Sequence, residues 1–251
     1  YDRTTVGTGG GSLMAGGKAG VGAAVTYSEI SSTTAAKLLA GTQVSGFDSL
    51  QVRGLTASLI GSAGAMGGYA KGKESGTFGG AIVINTIDRS TEAVLDGAVI
   101  EGGSINVLAR DIKGESKLDD LIDGGRARLE DELDYTGSEV ISEEVISEYG
   151  DGGLPATSII SVAGVGQASG NNAGVSFVWN EISNDYTALV KDSRIETEGD
   201  VDVQAESNTM IAGLSVGASY ASGEFAGAAS VTANGIGGVG KEGNRVSAQV
   251  I

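Results

Sequence analysis

The chain has 251 residues, 43 of them glycine, with one proline and no cysteine or histidine. Its 40 % hydrophobic content supplies a core for one or two domains, while the missing Cys and His remove disulfides, thiolate chemistry and the commonest general base and transition-metal ligand. A formal charge of −16 makes nucleic acid and anionic membrane poor partners for the surface as a whole and fits cation binding or solubility at high protein density better, and no run of about 18 uncharged apolar residues exists to span a bilayer as a helix.

The chain opens on Tyr1 without a basic n-region, so no signal peptide is expected, and the missing initiator methionine suggests a fragment of something longer. Gly7–Ser12 (GTGGGS) reads as a loop. The first strong element is AVTYSEI at Ala24–Ile30. A polar break, the threonine–alanine element Thr33–Leu39, a strand signal at Ser49–Val52 and a glycine-rich strand at Ser58–Gly72 follow.

The same order then returns. AIVINTI (Ala81–Ile87) precedes Thr91–Ile100 and Ser104–Ala109. SFVWNEI (Ser176–Ile182) comes after the glycine-rich strand Ser158–Gly170 and before Tyr186–Ile195, Asp200–Ala205 and Met210–Gly223. SVTANGI (Ser230–Ile236) begins a fourth pass. Aligned, the anchors give the columns Val25–Ile82–Phe177–Val231, Tyr27–Ile84–Trp179–Ala233, Ser28–Asn85–Asn180–Asn234 and Ile30–Ile87–Ile182–Ile236. Repetition of this kind signals a solenoid. The intervening positions Thr26, Val83, Val178 and Thr232 make the strands apolar on both faces, which calls for cover on both sides.

A unit of this length, with short strands and no helical spacing, predicts two to three coils of a parallel β-helix per repeat, with a stacked antiparallel sandwich as the architectural rival. The Ser/Asn column is a candidate amide ladder along the stack, although asparagine is also simply a good turn residue.

Asn85 and Asn180 are 95 residues apart, against 54 from Asn180 to Asn234, so the middle unit carries an insertion. It runs over 111–153 and holds fourteen acidic and four basic residues. Leu118, Leu121, Ile122, Leu129 and Leu133 fall near one helical face, with a capping box at Ser116 and Asp119. Ser138 is placed to cap a further helix through Tyr149. A helical hairpin lying across the solenoid's flank as a shield is the expectation, with a protruding recognition element as the alternative. The domains are therefore 1–110, β-helix coils; 111–153, acidic helical insertion; and 154–251, the same solenoid continued. The fold class is all-β, a right-handed parallel β-helix with a helical insertion.

Candidate chemistry is sparse. Glu196, Glu198, Asp200 and Asp202 alternate beside Arg194, and alternate strand residues share a face. Such a set fits Ca²⁺ with a uronate, or an acid–base pair, and fits a solvated strand face equally well. Asp119, Asp120 and Asp123 lack the spacing of a calcium loop, and Gly67–Gly76 (GGYAKGKESG) fails the spacing of a phosphate loop. Trp179 and Tyr27 read as core or inter-layer filling rather than a carbohydrate platform. No catalytic, cofactor-binding or metal-binding residue is assigned.

The phrase N-x-I, a polar break, T-x-A, then G-x-[IV]-x-V-x-A and an Ala/Gly-rich strand resembles the repeat of large filamentous adhesins of Gram-negative bacteria. These include the fusobacterial leukotoxin-like filamentous adhesins and other autotransporter passengers. Asn85–Ile87, Thr91–Ala93 and Ser104–Ala109 carry it, as do Asn180–Ile182, Thr187–Ala188 and Gly199–Ala205, and, more faintly, Ser28–Ile30 with Thr34–Ala36. The resemblance implies a secreted rod tethered to the outer membrane that binds a host-cell or bacterial surface protein or glycan through an extended surface. It implies no enzyme activity and no cofactor. The alternative function is a polysaccharide-active β-helix enzyme, a lyase or hydrolase. Open end coils imply end-to-end self-association.

Overall fold

In a computed structural model, residues 1–112, 155–237 and 244–251 are described. They form fourteen strands in three sheets, every pairing parallel. Sheet A holds β1 (Asp2–Gly16), β4 (Ser49–Ala70), β7 (Ser104–Asp111), β8 (Thr157–Ser169), β11 (Val201–Glu206) and β12 (Thr209–Ala221). Sheet B holds β2 (Ala19–Leu38), β5 (Gly76–Asp96), β9 (Asn171–Lys191), β13 (Ala226–Ile236) and β14 (Arg245–Val250). The short sheet C holds β3 (Gln43–Ser45), β6 (Val99–Gly102) and β10 (Arg194–Thr197).

The chain visits A, B and C in that order, three times in full and a fourth time as far as B, so it winds as stacked coils in a β-helix-like arrangement. The four anchors stack in the register read from the sequence: Ser28 opposes Asn85, Asn85 opposes Asn180, and Asn180 opposes Asn234.

Three expectations need correction. The expected right-handed parallel β-helix with a helical insertion gives way to an all-β chain of three parallel sheets, and no helix occurs among the described residues. Helices were expected within 111–153, but 113–154 lie outside the described residues. Asp111 itself is the last residue of strand β7, buried among sheet residues. The shielding or recognition role of that segment, and the acidic triplet Asp119, Asp120 and Asp123, also lie outside them.

Second, each repeat is one coil rather than two or three. The anchor and the threonine–alanine element are one strand of twenty or so residues, because the polar break between them stays extended: Ser31–Thr33 pairs with Asp88–Ser90, which pairs with Ser183–Asp185. That break has no glycine or proline to turn the chain, and its Thr and Ser side chains fit a strand. Third, Gly7–Ser12 is not a loop but lies within β1, paired with β4.

Sheets A and B face each other, and their inner residues alternate apolar and polar layers. Along β5 the buried set is Thr77, Ala81, Val83, Asn85, Ile87, Arg89, Thr91, Ala93 and Leu95. Ala81 and Val83 pack with Ala24, Met66, Ala163, Val165 and Val178. Ile87 packs with Ile30, Ile60, Ile159 and Ile182. Each buried isoleucine of that layer removes enough apolar surface to contribute about 2 kcal/mol. The largest cluster fills the end closed by sheet C, with Leu95, Ile100, Ile105 and Val107 at its centre.

The corner leading into sheet C requires left-handed backbone. Gly41 (φ 88°) takes it in the first coil, Gly97 (φ 66°) in the second and Asp192 (φ 46°) in the third. Glycine meets that conformation without a Cβ clash, and aspartate is among the few other residues that tolerate it.

Candidate functional site

The outer face of sheet B carries an apolar strip that runs along the stack. Alternation places Val25, Tyr27, Ile82, Ile84, Phe177 and Trp179 outward while Thr26, Val83 and Val178 face the interior. Val83 and Val178 are fully buried, whereas Val25 is 62 % exposed and Ile82 38 %. Val231 extends the strip into the fourth coil, and Val21, Phe78 and Val175, all more than half exposed, widen it toward the turn from sheet A. Aromatic and β-branched residues of this kind favour a strand, so the same choice that stabilises each coil also builds the surface. Two-sided apolar character therefore does not bring two-sided cover.

Soluble chains rarely leave so much contiguous apolar surface uncovered unless it contacts something. At one edge of the strip the Tyr27 hydroxyl donates to the Glu29 carboxylate at 2.7 Å. That hydrogen bond pushes the Tyr27 pKa up, with smaller contributions in the same direction from desolvation and the Glu29 charge. The phenol thus stays protonated and oriented.

Trp179 and Tyr27 share a column, as the alignment requires, but they stand on the outer face rather than filling the core. The carboxylate run is divided. Arg194 and Glu196 are on β10 in sheet C, with Arg194 Nε donating to Glu196 Oε1 at 2.9 Å, and that bond raises the arginine pKa. Glu198 and Asp200 fall at the corner, and Asp202 is on β11 in sheet A, accepting from Asn106 Nδ2 at 3.1 Å and Gln204 Nε2 at 2.9 Å. A turn in the middle of the run, centred on Gly199, therefore separates Glu196 from Asp202. A Cβ at Gly199 would stand 2.8 Å from the Ser104 nitrogen, so close stacking of the coils holds that corner to glycine. Gly67–Gly76 spans the end of β4, a turn and the start of β5, where Ser75 Oγ donates to Gly72 O at 2.6 Å. It is a corner, with no phosphate-loop geometry.

The sequence reading missed a buried polar cluster between the isoleucine layer and the cluster under sheet C. Asp111 Oδ1 accepts from Thr157 Oγ1 at 2.6 Å and from Tyr186 Oη at 2.7 Å, and Oδ2 accepts from the Asn208 backbone at 2.8 Å. Arg89 Nη1 donates to Thr157 Oγ1 at 3.1 Å and lies 4.0 Å from Asp111 Oδ1, both side chains being buried. Burial pushes the Asp111 pKa up against the lowering effect of these bonds and of Arg89, and burial pulls Arg89 down. Burial, followed by the Asp111 charge and hydrogen bond, pushes Tyr186 up. A cleft of about 260 Å³ lined by Arg110, Asp111, Ala156, Glu206 and Asn208 reaches this cluster from outside. Parity was the available signal. Once the polar break is read as strand, Arg89 falls on the inward set with Ile87 and Thr91, and Asp111 continues Ile105, Val107 and Ala109.

Comparison with protein-family models, curated proteins and solved structures returns no match.

Proposed function

We propose that this chain is a structural and adhesive segment of a filament displayed on a bacterial surface, contacting a host-cell or bacterial partner through the outer face of sheet B. The observation that carries this reading is the exposed apolar strip, which spans all four coils on one side of the stack. Its width and its mixture of aliphatic and aromatic side chains favour a protein surface over a glycan as the partner. The resemblance to filamentous adhesin repeats supports the surface setting. The rival reading, a polysaccharide-active enzyme, needs Glu196, Glu198, Asp200 and Asp202 along one groove, and the corner that divides them counts against it.

Trp179 is the chain's one tryptophan and lies in the strip, so its emission reports occupancy directly. The combined variant Val25→Thr, Tyr27→Ser, Phe78→Ser changes only exposed side chains. It should weaken attachment of the purified protein to epithelial or bacterial cells at least tenfold, since each large apolar side chain buried in a contact contributes about 1.5–3 kcal/mol. Unchanged attachment, or a Trp179 spectrum indifferent to bound cells, would sink the proposal. Release of unsaturated or reducing products from an acidic polysaccharide would favour the enzyme.

A further inference from the structure

We propose that the partner met by the outer face of sheet B is a protein segment apolar at one end and cationic at the other, with its lysine or arginine side chains seated in an acidic cleft beside the apolar strip. This rests on the reading of the strip as a contact surface and adds the chemistry of what it contacts.

Charge on that face is segregated along the strand direction. Outward positions from Val21 to Tyr27 on β2, from Phe78 to Ile84 on β5 and from Val175 to Trp179 on β9 hold no charged residue. The next three outward rows are Glu29–Thr86–Glu181, Ser31–Asp88–Ser183 and Thr33–Ser90–Asp185, the last extended by Arg245 on β14. Those rows hold four carboxylates and one guanidinium. The boundary falls within one side-chain pair, because the Tyr27 hydroxyl at the strip's edge donates to the Glu29 carboxylate.

The register sets hydroxyls rather than bases beside most of these acids. Thr86 stands between Glu29 and Glu181, Ser31 and Ser183 flank Asp88, and Asp185 has Ser90 on one side and Arg245 on the other. Strands lie about 4.8 Å apart, so Glu29 and Glu181 are about 10 Å from each other, close to the Debye length, and their potentials add. A cleft of about 410 Å³ opens among the same rows, lined by Ser31, Thr33, Asp88, Ser90, Ser183 and Asp185. Arg89 and Arg245 also border it, but Arg89 is buried and donates inward to Thr157. Hydroxyl and carboxylate oxygens of this kind accept from an ammonium or guanidinium, whereas an anionic group would meet Asp88 and Asp185.

Trp179 and the middle of the cleft are five residues apart along β9, or about 17 Å. A partner segment of about twelve extended residues therefore covers both, apolar side chains on the strip and basic ones in the cleft.

Three tryptophan-free synthetic peptides of about that length test the assignment. One joins a Val/Leu/Phe half to a lysine half, one joins the same apolar half to a glutamate half, and one contains lysine and serine alone. Calorimetry gives the affinities, and Trp179 emission reports whether the strip is covered. The lysine-tailed peptide should bind at least tenfold more tightly than either of the others. Its affinity should fall at least fivefold between about 20 mM and about 500 mM NaCl. Neither comparison needs a variant. Asp88→Asn with Asp185→Asn should shrink the preference for the lysine tail, and Asp88→Lys with Asp185→Lys should invert it, with circular dichroism confirming the fold. Equal affinity for the two tails, or a preference that the charge reversal leaves unchanged, would overturn the cationic partner. The strip reading would survive that result provided both tailed peptides lose affinity for the Val25→Thr, Tyr27→Ser, Phe78→Ser variant. A lysine-tailed peptide that binds this variant undiminished is held by the net charge of −16 alone, which overturns both readings, as does no binding by either tailed peptide.

Discussion

Asn180 is the node of the amide ladder, and removing its side chain should cost more than removing any other member. Its Oδ1 accepts from Asn85 Nδ2 at 2.7 Å and from Ser161 Oγ at 3.0 Å, while its Nδ2 donates to Asn234 at 2.8 Å. In Asn180→Ala, both Asn85 Nδ2 and Ser161 Oγ are stranded in a buried layer that water does not reach. Each stranded group costs about 1–3 kcal/mol, so the variant should lose about 3–5 kcal/mol. Asn85→Ala removes one bond and leaves Asn180 joined to Ser161 and Asn234, for a loss of about 1–2 kcal/mol. Asn234 is exposed in the last coil, where water replaces its partner, so Asn234→Ala should lose under about 1 kcal/mol. Urea unfolding followed by far-ultraviolet circular dichroism gives the three midpoints, with equal slopes needed for the comparison to hold. If Asn180→Ala and Asn234→Ala fell within about 0.5 kcal/mol of each other, the ladder would not be a cooperative interior element and the layer would have to contain water.

The sheets approach closely at Gly54, where a Cβ would stand 2.6 Å from Glu92 O; Gly54→Ala should lower the urea midpoint by the equivalent of about 2–3 kcal/mol. Asp192→Gly should raise stability by about 0.5–1 kcal/mol, because φ at that corner is positive and its second-coil counterpart is already Gly97; a lower midpoint would mean that the side chain contributes more than the backbone costs. The pH response of Asp111 has a definite sign. Burial raises its folded pKa above the ordinary value, so the folded state holds the proton more tightly, and the associated stability is present below the ordinary carboxylate range and lost as pH rises through the folded value. Asp111→Asn does not titrate there. Its stability relative to the parent, from urea midpoints between about pH 3 and pH 7, should therefore improve with rising pH, and a flat difference would refute the assignment.

The anchors made the coil register legible because strand periodicity and an invariant isoleucine column survive any choice of connecting structure. Coil size was not legible. Ser31–Thr33, Asp88–Ser90 and Ser183–Asp185 look like turns by composition, yet they remain strand because Arg89, Thr91 and Tyr186 have polar company inside the stack. The same misreading hid the Asp111 cluster, whose members are far apart in the chain and meet only when the coils are correctly counted. Likewise, the alternating carboxylates follow strand parity until Gly199, where the chain turns at a corner too crowded for a side chain and Asp202 passes to another sheet. The outer strip was visible as two columns, Val25–Val231 and Tyr27–Ala233, but nothing in their composition distinguishes a face awaiting a partner from one already covered.

Strand β7 ends at Asp111 and β8 starts at Thr157, yet both pair with the unbroken β4, which crosses the same interval with Ala57 alone. Ile112 N bonds to Thr56 O at 2.9 Å, and Ser58 N bonds to Ala156 O at 2.9 Å, so the ladder is secured on both banks of the gap. Pairing with β4 on both banks fixes the register of β8 and of the coils that follow it directly to the preceding coil. The stack thus behaves as a chassis with a socket in its side. A foreign domain whose termini lie close together, spliced in place of 113–154, would therefore be held between two fixed points of the same strand ladder.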